Sequence, residues 1–156
     1  MRGSRNQGCK TATHIVSAWA SENEAILGQI KVDQKSNEIT AIPKLLDALL
    51  LQGCIVTIDA MGCQKAIAKK IIKKDADYIL AVKDNQKELN QNIKDSFRFL
   101  NPIETVQTTD CDHGRIETRK CSVISDLSMI ENKEKWKGIR TIVKIDSERF
   151  LRQQQK

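Results

Sequence analysis

The chain has 156 residues, of which 40% are hydrophobic and 29% are charged, and its formal net charge is +6. This composition predicts a globular protein with one domain and a real core. No apolar run reaches the length of a membrane helix and no signal peptide opens the chain, so we expect a soluble cytoplasmic protein without a membrane partner. The positive charge favours a partner that carries phosphates or acidic groups, although a solvated lysine face is the simpler explanation.

The five cysteines follow no spacing typical of disulfides or zinc sites. Their odd number, and the apolar surroundings of two of them, indicate reduced thiols in a cytosolic protein. Cys111, Asp112, His113 and Cys121 could be arranged around zinc, but their spacing fits no standard pattern. Scattered structural or inert cysteines are therefore the better interpretation.

The first elements in chain order are an exposed lead-in over residues 1–12 and a β-hairpin. Alternating apolar residues predict strands over His14–Ala20 and Ala25–Val32, joined by a polar turn. Ser36 or Asn37 is expected to cap a helix that runs to about Leu51. Pro43 fits in its first turn or at a kink, so its regular part starts near Thr40. Its predicted buried stripe consists of Leu45, Leu46, Leu49 and Leu50.

Asp59 follows the most informative stretch, the apolar run Cys54–Ile58. The run is short and rich in β-branched residues, which predicts a strand buried on both faces, as in a parallel sheet. A small-residue turn and an amphipathic helix from Ala66 come next, so the order is half of a βαβ unit. Ligands collect at the carboxyl ends of such strands, and Asp59 is therefore either a ligand-binding carboxylate or a helix cap.

The rest of the chain continues this alternation and then becomes mostly β. A strand over Tyr78–Val82 ends at Lys83, and a helix from about Lys87 to Phe99 follows. Residues 151–156 form a tail without an apolar pattern. Three more strands are expected, over Ile103–Thr109, Arg115–Val123 and Gly138–Ile145.

Four blocks of the sequence resemble those of the bacterial DDE transposases, in the group that includes the H repeat-associated proteins. They are Arg2–Ser4, Gly28–Pro43, Asp59–Gln64 and His113–Arg119. The likeness covers roughly residues 2–150, and blocks of this length make a chance similarity improbable. It implies that residues 13–150 form a partial RNase H-like catalytic domain of the α/β class. The implied architecture is an incomplete mixed sheet flanked by helices, with a mostly β C-terminal portion.

The resemblance also implies chemistry with three acidic residues and two Mg²⁺ or Mn²⁺ ions. Hard cations prefer oxygen ligands, and two ions about 4 Å apart stabilise the attacking and leaving oxygens of phosphoryl transfer. Asp59 would be the second acid. The family's first acid precedes the segment matching Arg2–Ser4 and its third follows the segment matching residues 140–150, so both are expected to be missing. Glu117 is a candidate replacement, although an ion pair with Arg115 or Arg119 is the better interpretation.

With one acid of three, the chain is expected to be an inactive part of a transposase that performs DNA strand cleavage and transfer. The alternative is a non-catalytic fragment that binds DNA or subunits and regulates a full-length transposase. Expected partners are the DNA ends of an insertion sequence and, in a homo-oligomer, full-length transposase. Asn85 and Gln86, next to Lys83, would border the Asp59 crevice. Candidate DNA contacts are Lys65, Lys69, Lys83, His113, Arg115 and Arg119, although any solvated basic face would look the same.

Overall fold

The computed structural model describes residues 14–32, 38–112 and 115–151. Within these ranges it contains three α-helices and seven strands, which confirms the mixed α/β class. The chain divides into two compact units. The first contains the described residues up to Asn85 together with Trp136–Gly138, and the second contains Gln86–Lys135 and the described residues from Ile139 onward. The predicted lead-in lies outside the described residues, as does the predicted tail beyond Leu151.

The first unit begins with the predicted hairpin. Strands β1 (His14–Ala20) and β2 (Ala25–Val32) pair antiparallel, and a bulge interrupts the register between Ala18 and Trp19. Gly28 lies close to the following helix, since a Cβ there would be 3.2 Å from Leu45 Cδ1. The two strand ranges agree with the prediction because the alternation of apolar residues and the polar turn both specify them.

Helix α1 (Glu38–Ala48) begins within the predicted range, ends earlier than predicted, and has Pro43 inside it. It buries Ala41, Ile42, Leu45 and Leu46. The prediction that Leu50 belongs to the buried stripe is wrong, because the helix ends before it and its side chain is 99% exposed.

The end of α1 is bound by two lysines from the next helix. The Lys74 ammonium donates to the carbonyl oxygens of Leu46, Asp47 and Leu49 at 2.6, 3.0 and 2.5 Å. Lys70 donates to the Pro43 carbonyl at 3.0 Å and pairs with the Asp47 carboxylate at 2.5 Å. Carbonyls in the last turn of a helix have no partner within the helix, and a cation there also complements the helix dipole. These two lysines therefore stabilise the fold, whereas the sequence placed them on a solvated face.

Strand β3 (Ile55–Ile58), helix α2 (Lys65–Lys73) and strand β4 (Asp77–Leu80) form the expected parallel βαβ unit, with Ile55 opposite Asp77. The prediction that β3 is buried on both faces is wrong, since Ile55 is 66% exposed and Ile79 on β4 is 60% exposed. Val56 and Ile58 pack against the core instead. A β-branched run predicts a strand but does not specify how many of its faces are covered.

The core of the first unit lies between α1, α2 and the inner faces of the strands. Gly138 follows the buried Trp136 and packs on α2, because a Cβ there would be 2.5 Å from Ile72 Cδ1. The buried cluster consists of Ile42, Leu46, Leu51, Ile67, Ile71 and Ala76.

The second unit contains helix α3 (Lys87–Phe99), which agrees with the prediction, and an antiparallel sheet. The sheet is built from β5 (Glu104–Asp112), β6 (Arg115–Ile124) and β7 (Ile142–Leu151), with β6 in the centre. Strand β7 begins later than predicted. Gly138, the predicted first residue, has φ of 81° and therefore belongs to a turn.

The described strands are hydrogen-bonded in three separate sheets, β1 with β2, β3 with β4, and β5 with β6 and β7. The described residues confirm that the chain contains both parallel and antiparallel strand pairs and that its second half is mostly β. The single mixed sheet that the resemblance implied is not formed among them. No helix in the described part of the chain is both long and apolar enough to cross a membrane.

Candidate active site

Asp59 comes directly after β3, with extended backbone angles of φ −69° and ψ 179°. Its Oδ1 accepts the backbone N–H of Met61 at 3.2 Å and so caps the 3₁₀ turn Ala60–Gly62. The side chain of Asp59 is exposed. The sequence left open a capping role and a ligand-binding position at a strand end. In the structure, Asp59 both caps the turn and lies at the end of β3.

The turn after Asp59 is tightly packed against the core. Gly62 is buried, and a Cβ there would lie 2.3 Å from Ile58 Cγ2 and 2.9 Å from Ile42 Cδ1. Cys63 follows with no exposed surface, and burial raises the pKa of its thiol to about 11. The thiol is therefore protonated at neutral pH, which fits a structural cysteine. Only a residue without a side chain can occupy position 62 in this packing.

The loop after β4 reaches the same turn. The Ala81 N–H donates to the Ile58 carbonyl at 3.1 Å, which extends the contact between the two strand ends. The Asn85 side-chain amide donates to the Ala60 carbonyl. Lys83 is an exposed residue of this loop. Asp59 and the loop of Lys83 thus meet at the carboxyl ends of two parallel strands, the position at which open α/β sheets bind ligands.

Glu117 lies on β6 in the second unit and is held by basic and polar neighbours. Its Oε1 accepts hydrogen bonds from Arg119 Nε and Nη2 at 3.2 and 3.1 Å, from Ser147 Oγ at 3.2 Å and from Arg149 Nη2 at 3.5 Å. The hydrogen bond from Arg119 is the main cause that lowers the pKa of Glu117 below its ordinary value. The sequence predicted the pair with Arg119. It missed Arg149 and Ser147, because only the register between β6 and β7 places Arg149 opposite Glu117 and Ser147 opposite Arg119.

The candidate DNA contacts differ in their surroundings. Lys65 lies over the ring of Trp136, with its Nζ 5.7 Å from the ring centre. Lys69 is exposed on α2, and so is Lys73 one turn later. Residues four apart share a face of a helix, so Lys65, Lys69 and Lys73 form one row, which we call the lysine row. Arg119 is bound to Glu117. His113 and the side chain of Arg115 lie outside the described residues.

The described residues do not by themselves fit a two-metal centre. Residues 14–32, 38–112 and 115–151 contain no group of three His, Cys, Asp or Glu side chains that could hold a metal ion. Mg²⁺ takes about six oxygen ligands in a near-octahedral arrangement, and Asp59 offers one carboxylate. Asp59 could therefore be one ligand of such a centre but not the whole of it.

The structure does not bring together Cys111 and Cys121, the two described cysteines of the zinc site considered from the sequence. In the antiparallel sheet of the second unit, Cys111 lies opposite Ile116, and Cys121 lies opposite Val106. Successive residues of a strand point to opposite faces, so positions 116 and 121 of β6 face opposite sides. Cys111 and Cys121 therefore cannot bind one ion within this sheet.

Comparison with known proteins identifies relatives of this chain. The family model described as Transposase DDE domain matches residues 2–154. The chain is 45% identical over 149 residues to "Putative transposase YncI" of Escherichia coli O157:H7, which covers 91% of this chain and 38% of that protein. It is 42% identical over 160 residues to "H repeat-associated putative transposase YhhI" of Escherichia coli strain K12, with 98% of this chain and 41% of that protein covered.

A further relative is "Uncharacterized protein in dhlA 3'region" of Xanthobacter autotrophicus, which is 38% identical over 154 residues, 97% of this chain and 52% of that protein. The chain therefore spans between 38% and 52% of the length of these three relatives. No solved structure matches the chain. On the extent of the family match and these identities, the chain belongs to the DDE transposase family, in the group of the H repeat-associated proteins.

Proposed function

We propose that this chain is part of the catalytic domain of a DNA transposase and that Asp59 is one of the acids that bind its divalent metal ions. The observation that supports this most is the position of Asp59, an exposed carboxylate at the carboxyl end of a parallel strand. An RNase H-like sheet is part of the proposal. The antiparallel hairpin β1–β2 and the parallel pair β3–β4 are strand pairs that such a mixed sheet requires.

The chain alone does not catalyse DNA strand cleavage, in our proposal. Two-metal catalysis needs carboxylates on both ions, and the described residues bring no such group together. We assign Glu117 to the stability of the β6–β7 pair, because Arg119 and Arg149 already neutralise it. The remaining metal ligands would come from outside the described ranges.

A Mn²⁺ titration followed by NMR tests the role of Asp59. We expect line broadening of the Ala60 and Met61 amides, with a dissociation constant of about 1 mM or weaker because one carboxylate supplies few ligands. Asp59→Asn should abolish the broadening. Asp75→Asn is the matched control, since Asp75 is also exposed and asparagine tolerates its φ of 55°. Broadening that persists in Asp59→Asn would contradict the proposed ligand.

A second candidate function, non-catalytic DNA binding with a regulatory effect on full-length transposase, is favoured by the lysine row. Lys69 and Lys73 are exposed, whereas Lys70 and Lys74 are bound to α1. Lys70 and Lys74 therefore stabilise the fold, whereas Lys69 and Lys73 face solvent. Exposed cations along one helix face can neutralise successive phosphates, and DNA binding of this kind depends steeply on salt.

Alanine substitution of the lysine row should weaken DNA binding without affecting stability. Lys69→Ala and Lys73→Ala should each reduce the slope of log K against log salt concentration by about 1, as expected for the loss of one phosphate contact. Fluorescence anisotropy with a DNA duplex at several salt concentrations measures this slope.

Lys74→Met, at the C-cap of the same helix, is the control. It should lower the free energy of unfolding by about 1–3 kcal/mol, because three carbonyls lose a charged donor, and leave the salt slope unchanged. A salt slope that is equal in wild type, Lys69→Ala and Lys73→Ala would remove α2 from the DNA-binding surface. If the chain alone binds DNA and does not cleave it, the result favours the regulatory DNA-binding function.

A further inference from the structure

We propose that Asn85 is a positioning residue for Asp59: its side-chain amide fixes the peptide group that orients the Asp59 carboxylate. The proposal rests on Asp59 being a metal ligand, as proposed above, and it adds no further ligand. Asn85 lies in a different loop from Asp59, after β4, so the contact joins the carboxyl ends of both parallel strands.

The link passes through a single peptide group. Asn85 Nδ2 donates to the carbonyl oxygen of Ala60, and the N–H of Met61 donates to Asp59 Oδ1 at 3.2 Å. That carbonyl and that N–H belong to the same peptide unit, which is planar because of the partial double-bond character of its C–N bond. Holding the oxygen on one side therefore fixes the direction of the N–H on the other. Asn85 thus controls the group that binds the carboxylate.

The other parts of the turn are already constrained from the core side. The Gly62 N–H donates to the Asp59 carbonyl at 3.1 Å, and Gly62 packs against Ile58 and Ile42. The N–H of Cys63 shares the Ala60 carbonyl with Asn85, at 3.2 Å. Met61, which carries the N–H of the peptide between Ala60 and Met61, is 49% exposed. Rotation of this peptide is the motion that would release Asp59, and Asn85 restricts it.

Removal of the Asn85 amide should have a local effect. The Ala60 carbonyl keeps its bond from Cys63, so the turn stays folded, and Asn85 itself is exposed. The net contribution of one hydrogen bond corresponds to about a fivefold change in a local equilibrium. We therefore expect the Met61 N–H to open about five times more often, while the strands beneath it keep their protection.

Amide exchange with solvent, measured by NMR on the full chain, tests the proposal. Asn85→Ala removes the donor, and Asn85→Asp keeps the shape of the side chain without the donor. Both should accelerate exchange of the Met61 N–H about fivefold and leave the β3–β4 amides, such as Val56, unchanged. Asn101→Asp, an exposed position of the second unit, introduces the same charge and should change neither.

An unchanged Met61 exchange rate in Asn85→Ala would overturn the proposal. Equal acceleration of the Met61 and Val56 amides would also overturn it, because that pattern indicates general destabilisation of the unit. The Mn²⁺ titration of Asp59→Asn decides the metal role separately. Acceleration limited to the turn, together with no Mn²⁺ effect at Asp59, would support the positioning by Asn85 and overturn the metal role.

Discussion

Ile71→Ala should lower the free energy of unfolding of the first unit by about 2–5 kcal/mol, the usual range for truncating a fully buried isoleucine. Ile71 lies on α2 with no exposed surface and belongs to the buried cluster that joins α1, α2 and the βαβ unit. Its loss removes apolar contacts and leaves a cavity that the surrounding side chains fill only in part. Urea unfolding followed by tryptophan fluorescence measures the change.

Tryptophan fluorescence reports on the first unit, because both tryptophans of the chain, Trp19 and Trp136, belong to it. Ile79→Ala is the matched control, since Ile79 lies on β4 of the same unit and is 60% exposed. Its substitution should cost less than about 1 kcal/mol because little buried apolar area is removed. An equal loss in the two variants would contradict the position assigned to the core.

Gly62→Ala should lower the free energy of unfolding by about 1–3 kcal/mol, as expected for overpacking. The new Cβ would overlap Ile58 Cγ2, which is attached directly to the branched Cβ and cannot swing away. Because Gly62 follows Asp59 in the same turn, the substitution should also accelerate exchange of the Met61 N–H. The same urea and NMR measurements detect both effects.

A double-mutant cycle with Ile58→Leu tests the cause of the Gly62→Ala effect. Leucine lacks the branch methyl at Cβ, so the combined variant should be less destabilised than the sum of the two single variants. Additive losses would show that contact with Ile58 is not the reason that position 62 requires glycine.

The elements that the sequence predicted well are those whose signals are local. The hairpin His14–Ala20 and Ala25–Val32 agrees because alternation and a polar turn specify both its strands. Helix α3 agrees because its apolar period and the following Asn101–Pro102 set its length. The parallel pairing of β3 and β4 follows from the strand, helix and strand order.

The errors have tertiary causes. Leu50 is exposed because α1 ends at Ala48, where Lys74, distant in sequence, binds the carbonyls. Ile55 is exposed because the helices of the described chain cover one face of β3, which a β-branched run does not reveal. Charge alone also could not distinguish Lys69, exposed on α2, from Lys74, which caps the same helix and binds α1.

The part of the candidate site that was predicted is the part with a local signal in the sequence. Asp59 stands out in the sequence because a carboxylate directly follows an apolar strand and precedes a helix, a local pattern. The hydrogen bond from Asn85 to Ala60 joins two loops, and the contacts of Arg149 and Ser147 with Glu117 require a strand register. Contacts of this kind need the folded chain.

A DNA cleavage assay tests whether the chain alone forms a catalytic metal centre. The purified chain is incubated with DNA that carries insertion-sequence ends, in Mg²⁺ or Mn²⁺, and the strands are separated on a denaturing gel. We predict no strand cleavage by the chain alone, because the described residues contribute the Asp59 carboxylate without a group of three ligands. Cleavage by the wild type that disappears in Asp59→Ala would contradict this account and show that the chain assembles a complete metal centre.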